Sequence, residues 1–341
     1  MPAEWEPQEA VWLTWPVNET TWPGIYERIP PKFAEIAAIL SRHGKVRINC
    51  PGFLRKSALA CLGKAGAEAA RVELFDHPSN DAWCRDHGPI FVRNDATGEV
   101  ALTDWKFNAW GGKYPPFDDD DAIPRRIAGA LGLRRFEAPA VMEGGALEVD
   151  GRGGLLTTAS CLLNPNRNPG LSRADVERLL GEYLAVDRFY WLGEGIAGDD
   201  TDGHIDDIAR FLPDGGVLCA VSDDETDPDY RPLRENAELL STFRGPGGGR
   251  FEVTPLPVPG PVFFRGERLP ASYANYLVIN EAVLVPTFGR PERDGRALEV
   301  IGGCFPGRTV YGIDCTDLVV GLGTLHCISQ QQPLGSCGGT T

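Results

Sequence analysis

The chain has 341 residues, which is ample for a sizeable core, and its 33 Lys and Arg against 48 Asp and Glu leave a net charge of −15. Such a balance argues against a nucleic-acid partner, which needs basic surface, and favours cations. A hydrophobic content of 42% describes a globular protein rather than a disordered one.

The segment MPAEWEPQEA has neither the basic start nor the apolar core of a signal peptide, and no apolar run approaches the ~20 residues of a spanning helix. The nine cysteines (Cys50, Cys61, Cys84, Cys161, Cys219, Cys304, Cys315, Cys327 and Cys337) are dispersed, without a Cys-x-x-Cys pair. That pattern argues against a zinc knuckle or a secreted disulfide framework and for reduced thiols in the cytoplasm.

In chain order, VWLTW (11–15) reads as a strand, KFAEIAAILSRHG as a helix and KVRINC as a strand; FLRKSALACLGKAG and RVELFD follow as helix and strand. Four hairpins come next: PIFVRN with EVALTDWKF (89–107), ALEVD with LLTTAS (146–160), DIARFL with VLCAVS (207–222) and NYLVI with VLVPTF (275–288). Each leads into a helix and a further strand. The helices are DAIPRRIAGALG, closed by Gly132; SRADVERLLGEYL, opened by Ser172; DYRPLRENAELLSTF; and PERDGRALEVIGGCF. The unit is therefore strand–strand–helix–strand, four times over. A fifth copy is split, with TLHCIS (324–329) as a C-terminal strand completing the elements at the N-terminus. A ring closed by a split unit would have no sheet edges. A Rossmann sheet is disfavoured, since no G-x-G-x-x-G or Walker A sequence opens a helix after a strand. Residues 255–270 and 244–250 are Pro- or Gly-rich loops. One domain over 1–333 is expected, with a flexible tail over 334–341.

A polar cluster precedes the first strand of each unit: Trp83-Cys84-Arg85-Asp86-His87-Gly88, Glu143-Gly144-Gly145, Asp202-Gly203-His204-Ile205-Asp206-Asp207, Ala271-Ser272-Tyr273-Ala274-Asn275 and His326-Cys327. Of the five histidines, His43 closes a helix and His77 sits in a turn. His204, beside carboxylates, is the best acid–base candidate, its competing role being a loop cap. The plainer role of Asp86 is a salt bridge to Arg85 and that of Asp206 and Asp207 is solvation; a pair of carboxylates brought together from separate repeats would suit a planar guanidinium, which donates in a fixed fork. Glu143 before two glycines is a site acid or a turn residue. Cys84 and Cys327 both sit beside groups able to stabilise a thiolate, and the residues alone do not separate them. A metal is disfavoured, because His204-x-Asp206 lacks a third ligand at a recognised spacing. The run Asp118 to Asp121 fits a helix start better than a calcium loop.

The segments MPAEWEPQEAVWLTWP, WCRDHGPIFV, KFNAWGGKYPPFDDDDAIP, EGGALEVDGRG, TTASCLLNPNRNPGLS, GDDTDGHIDDIARF, ASYANYLVIN and GLGTLHCISQQQP, in this order, resemble the agmatine deiminases, of the peptidylarginine-deiminase-like group of guanidine-modifying (pentein) enzymes. The resemblance implies an α/β fold, a five-bladed propeller of repeated ββαβ units with pseudo-fivefold symmetry. It implies a cytoplasmic hydrolase that converts agmatine to N-carbamoylputrescine and ammonia in polyamine synthesis. It assigns the nucleophile to Cys327, the acid–base to His204, guanidinium binding to Asp86 and Asp206, a further site acid to Glu143 and a pocket wall to Trp83. No metal or other cofactor and no nucleic-acid or membrane partner are implied; the partner is the small cationic guanidine, and a homo-oligomer is left open. Arginine, peptide arginine, amidino transfer and non-catalytic guanidine binding are the alternatives. One departure stands out: Gly321-Leu322-Gly323 carries leucine where related enzymes commonly read glycine, and a side chain there could reshape the pocket.

Overall fold

The computed structural model describes residues 1–337. The chain separates into two compact units, each discontinuous in sequence. One comprises residues 4–144, 279–281 and 327 onward; the other comprises 1–3, 145–278 and 282–326.

The first unit holds two sheets. In one, the strand order is Ser329–Pro333, Gln8–Thr14, Lys45–Asn49, Val72–Phe75. Gln8–Thr14 pairs antiparallel with Ser329–Pro333 and parallel with Lys45–Asn49. Its residues Ala10 to Thr14 are all buried, as the near-continuous apolar run AVWLT requires of an inner strand. Trp12 and Arg47 both hydrogen-bond Oε1 of Gln332, at 2.9 and 2.7 Å, which ties three adjacent strands together. In the other sheet, Ile90–Arg93 pairs antiparallel with Glu99–Lys106, which pairs parallel with Arg134–Val141. The connecting helix Ile123–Leu131 ends at Gly132, whose φ of +64° supplies the left-handed cap a side chain would resist. Trp12, Cys84, Phe91, Leu102 and Ile127 lie in one apolar cluster of this unit.

The second unit holds three sheets of the same plan: Glu148–Val149 with Gly154–Thr158 and Arg188–Leu192; Ala209–Phe211 with Val217–Val221 and Val253–Pro257; and Leu277–Ile279 with Ala282–Thr287 and Thr309–Asp314. In the first two, an antiparallel pair is followed by a parallel one. The intervening helices are Arg173–Leu184, Tyr230–Thr242 and Pro291–Cys304. Ser172 and Asp175 form a reciprocal capping box at the start of Arg173–Leu184. Arg210 is the buried cation of this unit. It donates to Glu148 Oε2 at 2.8 Å and to the carbonyls of Ala274 and Tyr276 at 3.1 and 2.8 Å, and it stacks on the Tyr276 ring. One side chain thereby joins segments from all three sheets.

Among the described residues each of the five copies of the sequence unit corresponds to one of these sheets, beside a sixth, two-stranded one. Two local expectations change. TLHCIS is not a strand: residues 325–328 form a turn and the strand is Ser329–Pro333, because the His326 and Cys327 backbone groups bond elsewhere, to Asn275 and Arg85 respectively. The loop 255–270 contains a hairpin, Val262–Phe264 with Glu267–Leu269, turned by Arg265 and Gly266 at φ +51° and +89°. The Asp118 to Asp121 run forms a helical turn, as expected, and its carboxylates also serve as acceptors: Asp120 takes the backbone N–H groups of Asn80 and Asp81, and Asp121 takes that of Phe107. Of the segment 334–341, Ser336–Cys337 pairs in parallel with Glu99 and Val100, and residues 338–341 lie outside the described residues.

Because Arg210 neutralises Glu148 in a site closed to water, truncating it leaves a buried carboxylate uncompensated. Arg210→Ala is expected to lower stability by about 3–5 kcal/mol, read from urea unfolding; an unchanged midpoint would show that the three segments hold without it.

Candidate active site

All five polar clusters occupy the same structural position. Cys84–His87, Gly144–Ala146 and Ile205–Asp207 are single helical turns, each directly before the first strand of its sheet. Tyr273 and Ala274 form a turn just before Leu277–Ile279, and residues 325–328 form one before Ser329–Pro333. Short turns at strand entrances can present a side chain while the following strand fixes the backbone.

In the first unit, three of these segments are brought together. The Arg85 N–H donates to the Cys327 carbonyl at 3.0 Å. Arg85 Nη1 donates to Oε1 of Gln330 and of Gln331 at 2.7 and 2.5 Å, so the segment after Cys327 is fixed on a buried guanidinium. Gly144 backs onto the same place. A β-carbon there would stand 2.3 Å from the Arg85 carbonyl oxygen, so only glycine lets Glu143 approach. Glu143 and Asp86 are buried. Asp86 Oδ2 accepts the indole N–H of Trp110 at 3.0 Å, and Trp83 packs against Trp22 with ring centroids 5.5 Å apart.

The two thiols differ. Cys84 is fully enclosed in the apolar cluster, and burial pushes its pKa up to about 12 despite the Thr14 hydroxyl and the Arg85 charge. A thiol so placed stays protonated and inert. Cys327 is 8% exposed, in the turn held by Arg85.

In the second unit, Asp199 shapes the loop that carries His204. Its Oδ1 accepts from the backbone and hydroxyl of Thr201 at 2.7 and 2.5 Å, and its Oδ2 accepts from Gly203 and His204 N–H at 2.9 and 3.3 Å. Gly203 has φ +104°, and a β-carbon there would stand 2.5 Å from Ser160 Oγ. Buried Arg167 bonds the Thr201 carbonyl at 2.8 Å and pairs with Asp202. His204 is itself buried. Asp206 lies two residues on, with Oδ2 2.7 Å from His326 Nδ1. Burial would push the Asp206 carboxyl up, but the His326 hydrogen bond and the charges of His326, His204 and Arg210 outweigh it, holding the carboxyl below its ordinary range. Neighbouring Asp207 is driven well above that range by burial and by the charges of Asp206 and Asp199. Asn275 Oδ1 accepts from the Thr324 hydroxyl and the His326 N–H at 2.7 and 3.0 Å, which fixes the turn carrying His326. Within either unit by itself, no three His, Cys, Asp or Glu side chains of the described residues offer ligand atoms close enough to share one metal ion.

The sequence profile of the Porphyromonas-type peptidyl-arginine deiminases matches residues 1–333. The chain belongs to that family. A Legionella pneumophila (strain Paris) relative, whose name assigns it provisionally to agmatine deiminase, is 39% identical over 98% of this chain and 95% of its own. Among solved structures, the agmatine deiminase of Enterococcus faecalis superposes with a TM-score of 0.91 at 34% identity, over 98% of this chain and 95% of that one. A cysteine-to-serine variant of the C. jejuni agmatine deiminase, with substrate bound, superposes with a TM-score of 0.88 at 30% identity, over 98% and 96%. The α/β fold of this family is therefore the fold of this chain.

Set against the sequence, the first unit gathers Asp86, Glu143 and Cys327 with Trp83 nearby in the chain, and the second gathers His204 and Asp206. Asp86, for which a salt bridge to Arg85 was the plainer role, accepts from Trp110, and the Arg85 side chain donates to two glutamines. Trp110, Asp199 and the pairing role of His326 were not foreseen. The Asn-Ala-Trp-Gly-Gly and Gly-Asp-Asp-Thr-Asp-Gly turns were the available signals. Leu322 adopts φ +71°, the left-handed backbone natural to the glycine commonly found there, at a cost of roughly 1–2 kcal/mol.

The two neighbouring acids should act oppositely on stability. Asp206, with a lowered pKa, contributes stability that is present above the unfolded carboxyl range and lost as pH falls through its folded pKa. Asp207, with a raised pKa, destabilises increasingly as pH rises from the unfolded value of 3.8. Asp207→Asn is therefore expected to gain stability relative to the parent between pH 5 and pH 8, while Asp206→Asn loses it, in urea unfolding at each pH. Parallel curves for all three proteins would contradict the assignment.

Proposed function

We propose that this protein hydrolyses the guanidinium group of agmatine, giving N-carbamoylputrescine and ammonia. The reading rests on one observation above the others: the likeness to agmatine deiminases spans 98% of the chain, including a substrate-bound form altered at a cysteine. The buried acids supply the matching chemistry, since a planar cation with forked donors is best held by carboxylates.

In the proposed reaction Asp86 and Asp206 hold the guanidinium nitrogens. An ionised, buried Asp206 is ready for this without a proton to shed. Cys327 attacks the central carbon as thiolate and forms a carbon–sulfur bond. His204 passes a proton to one nitrogen; the carbon–nitrogen bond breaks and ammonia departs, leaving an S-alkylthiouronium. His204 then takes a proton from water, whose oxygen bonds to the carbon. Collapse breaks the carbon–sulfur bond, passes the remaining hydroxyl proton to solvent and returns the thiolate beside a protonated His204. Glu143 orients His204 or the guanidinium, Trp83 walls the substrate, and His326 holds Asp206. Water is the only co-substrate.

The repeated sheets also support a five-bladed α/β propeller as the arrangement of the five ββαβ units. No helix among the described residues is long and apolar enough to cross a membrane, and we place the enzyme in the cytoplasm, in polyamine synthesis.

Ammonia release from agmatine, arginine and a blocked arginyl peptide, compared side by side, tests the reading, because the family is named for peptidyl arginine and its solved relatives are named some for agmatine and some for arginine. Agmatine should be preferred. No ammonia from any of the three would refute a deiminase. Cys327→Ala is expected to abolish turnover, by roughly a thousandfold or more. Cys84→Ala should keep turnover within a few-fold, since its thiol is a packing group. The reverse pattern would move the nucleophile.

A further inference from the structure

Four consecutive residues of the first unit have left-handed backbone: Ala109, Trp110, Gly111 and Gly112, with φ of +51°, +55°, +93° and +79°. The two glycines adopt this freely. Ala109 and Trp110 do not, and for a bulky residue such as tryptophan it is a true outlier. Strain of this kind persists only where the surroundings over-determine it.

The surroundings do so here from both ends of the turn. Asn108 Oδ1 accepts the Gly111 N–H at 2.8 Å, and the Asn108 carbonyl accepts that of Gly112 at 2.7 Å. Asp121 Oδ1 accepts the Phe107 N–H at 2.7 Å, which fixes the chain just before the turn. Phe107 and Tyr114 meet the Trp110 indole edge-on, with centroids 5.3 and 5.8 Å away. One polar contact of the ring is the N–H donated to Asp86 Oδ2 at 3.0 Å. The turn thus sets where a single indole N–H points, and it points at a carboxylate to which guanidinium binding is assigned above.

We infer that Asn108 and the left-handed turn it caps are a positioning device for the reaction: they aim the Trp110 N–H at Asp86 and so fix the carboxylate orientation that receives the guanidinium. The inference rests on the proposed role of Asp86. A carboxylate has two acceptor oxygens. Engaging Oδ2 restricts rotation of the group before substrate arrives, and a prearranged acceptor binds a planar cation with less loss of freedom. The role goes beyond lining a cavity. The same ring borders an open cavity of about 540 Å³ together with Asn18, Phe107, Tyr114 and Asp120, so a wall function is the competing explanation.

The two explanations separate with a substrate fragment. Trp110→Phe keeps the aromatic wall and removes the N–H. Methylguanidine carries the guanidinium but no alkylammonium arm. Its affinity, measured by calorimetry without turnover, and kcat/KM for agmatine should both fall by the same factor in Trp110→Phe. That factor is roughly 10- to 100-fold, as expected for a hydrogen bond to an ionised group. Asn108→Ala should show a smaller loss of both. Asn108→Asp, which keeps an acceptor for Gly111, should restore most of it. Methylguanidine binding and agmatine turnover within twofold of the parent in Trp110→Phe would overturn the inference. So would a loss confined to agmatine, which would make Trp110 a wall for the arm, or a fall in melting temperature with methylguanidine affinity unchanged. A parent enzyme that releases no ammonia would instead refute the function proposed above, and the two failures are distinguishable.

Discussion

A carboxylate that remains ionised while sealed from water places the strongest demand on this structure, and Asp206 is that group. Burial by itself would protonate it. The opposing influences come from three directions: the ring of His326 at hydrogen-bond distance, His204 two residues back in the chain, and the guanidinium of Arg210. Each of these is anchored in turn. His326 depends on the turn that Asn275 pins, His204 on the loop that Asp199 folds around itself, and Arg210 on Glu148 and two carbonyls. Removing the demand for an anion at position 206 would remove the reason for much of this polar framework. Asp207 shows the other solution to the same problem, since with the neighbouring charge already present it is driven toward the neutral form.

The first unit meets its demand differently, through glycine and amide chemistry. Arg85 is buried, yet two of the partners of its side chain are neutral glutamines of the strand that follows Cys327. Its backbone N–H holds the Cys327 carbonyl. Glutamine accepts without adding charge of its own. Gly144 completes the arrangement by allowing the Glu143 segment to lie directly on the Arg85 carbonyl, where any side chain would collide.

How much of this could be read from sequence follows from the range of the interactions. The ββαβ repeats were legible because hairpin turns, capping residues and apolar periodicity are local: Ser172 with Asp175 and Gly132 behave as their types dictate. The position of each polar cluster ahead of a strand was legible for the same reason. Contacts between distant segments were not. Arg85 beside Asp86 invited a local pairing, but its glutamine partners lie some 245 residues away. Trp110 gave no sign of reaching Asp86, because that contact depends on a left-handed backbone unusual for its side chain. The tie between Cys84 and Cys327 was insoluble from residue type alone, since what separates them is enclosure, and enclosure is a property of the packed core.

The strand that follows Cys327 has a bearing on how the protein is made. Ser329–Pro333 lies beside Gln8–Thr14, so that strand acquires this partner only when a segment far later in the chain has emerged from the ribosome. Until then the first sheet exposes an unpaired edge beside Trp12 and its apolar neighbours, a state prone to wrong pairing. The same late segment carries the thiol. Completion of the sheet and arrival of the Cys327 thiol, the nucleophile proposed above, are thus one event.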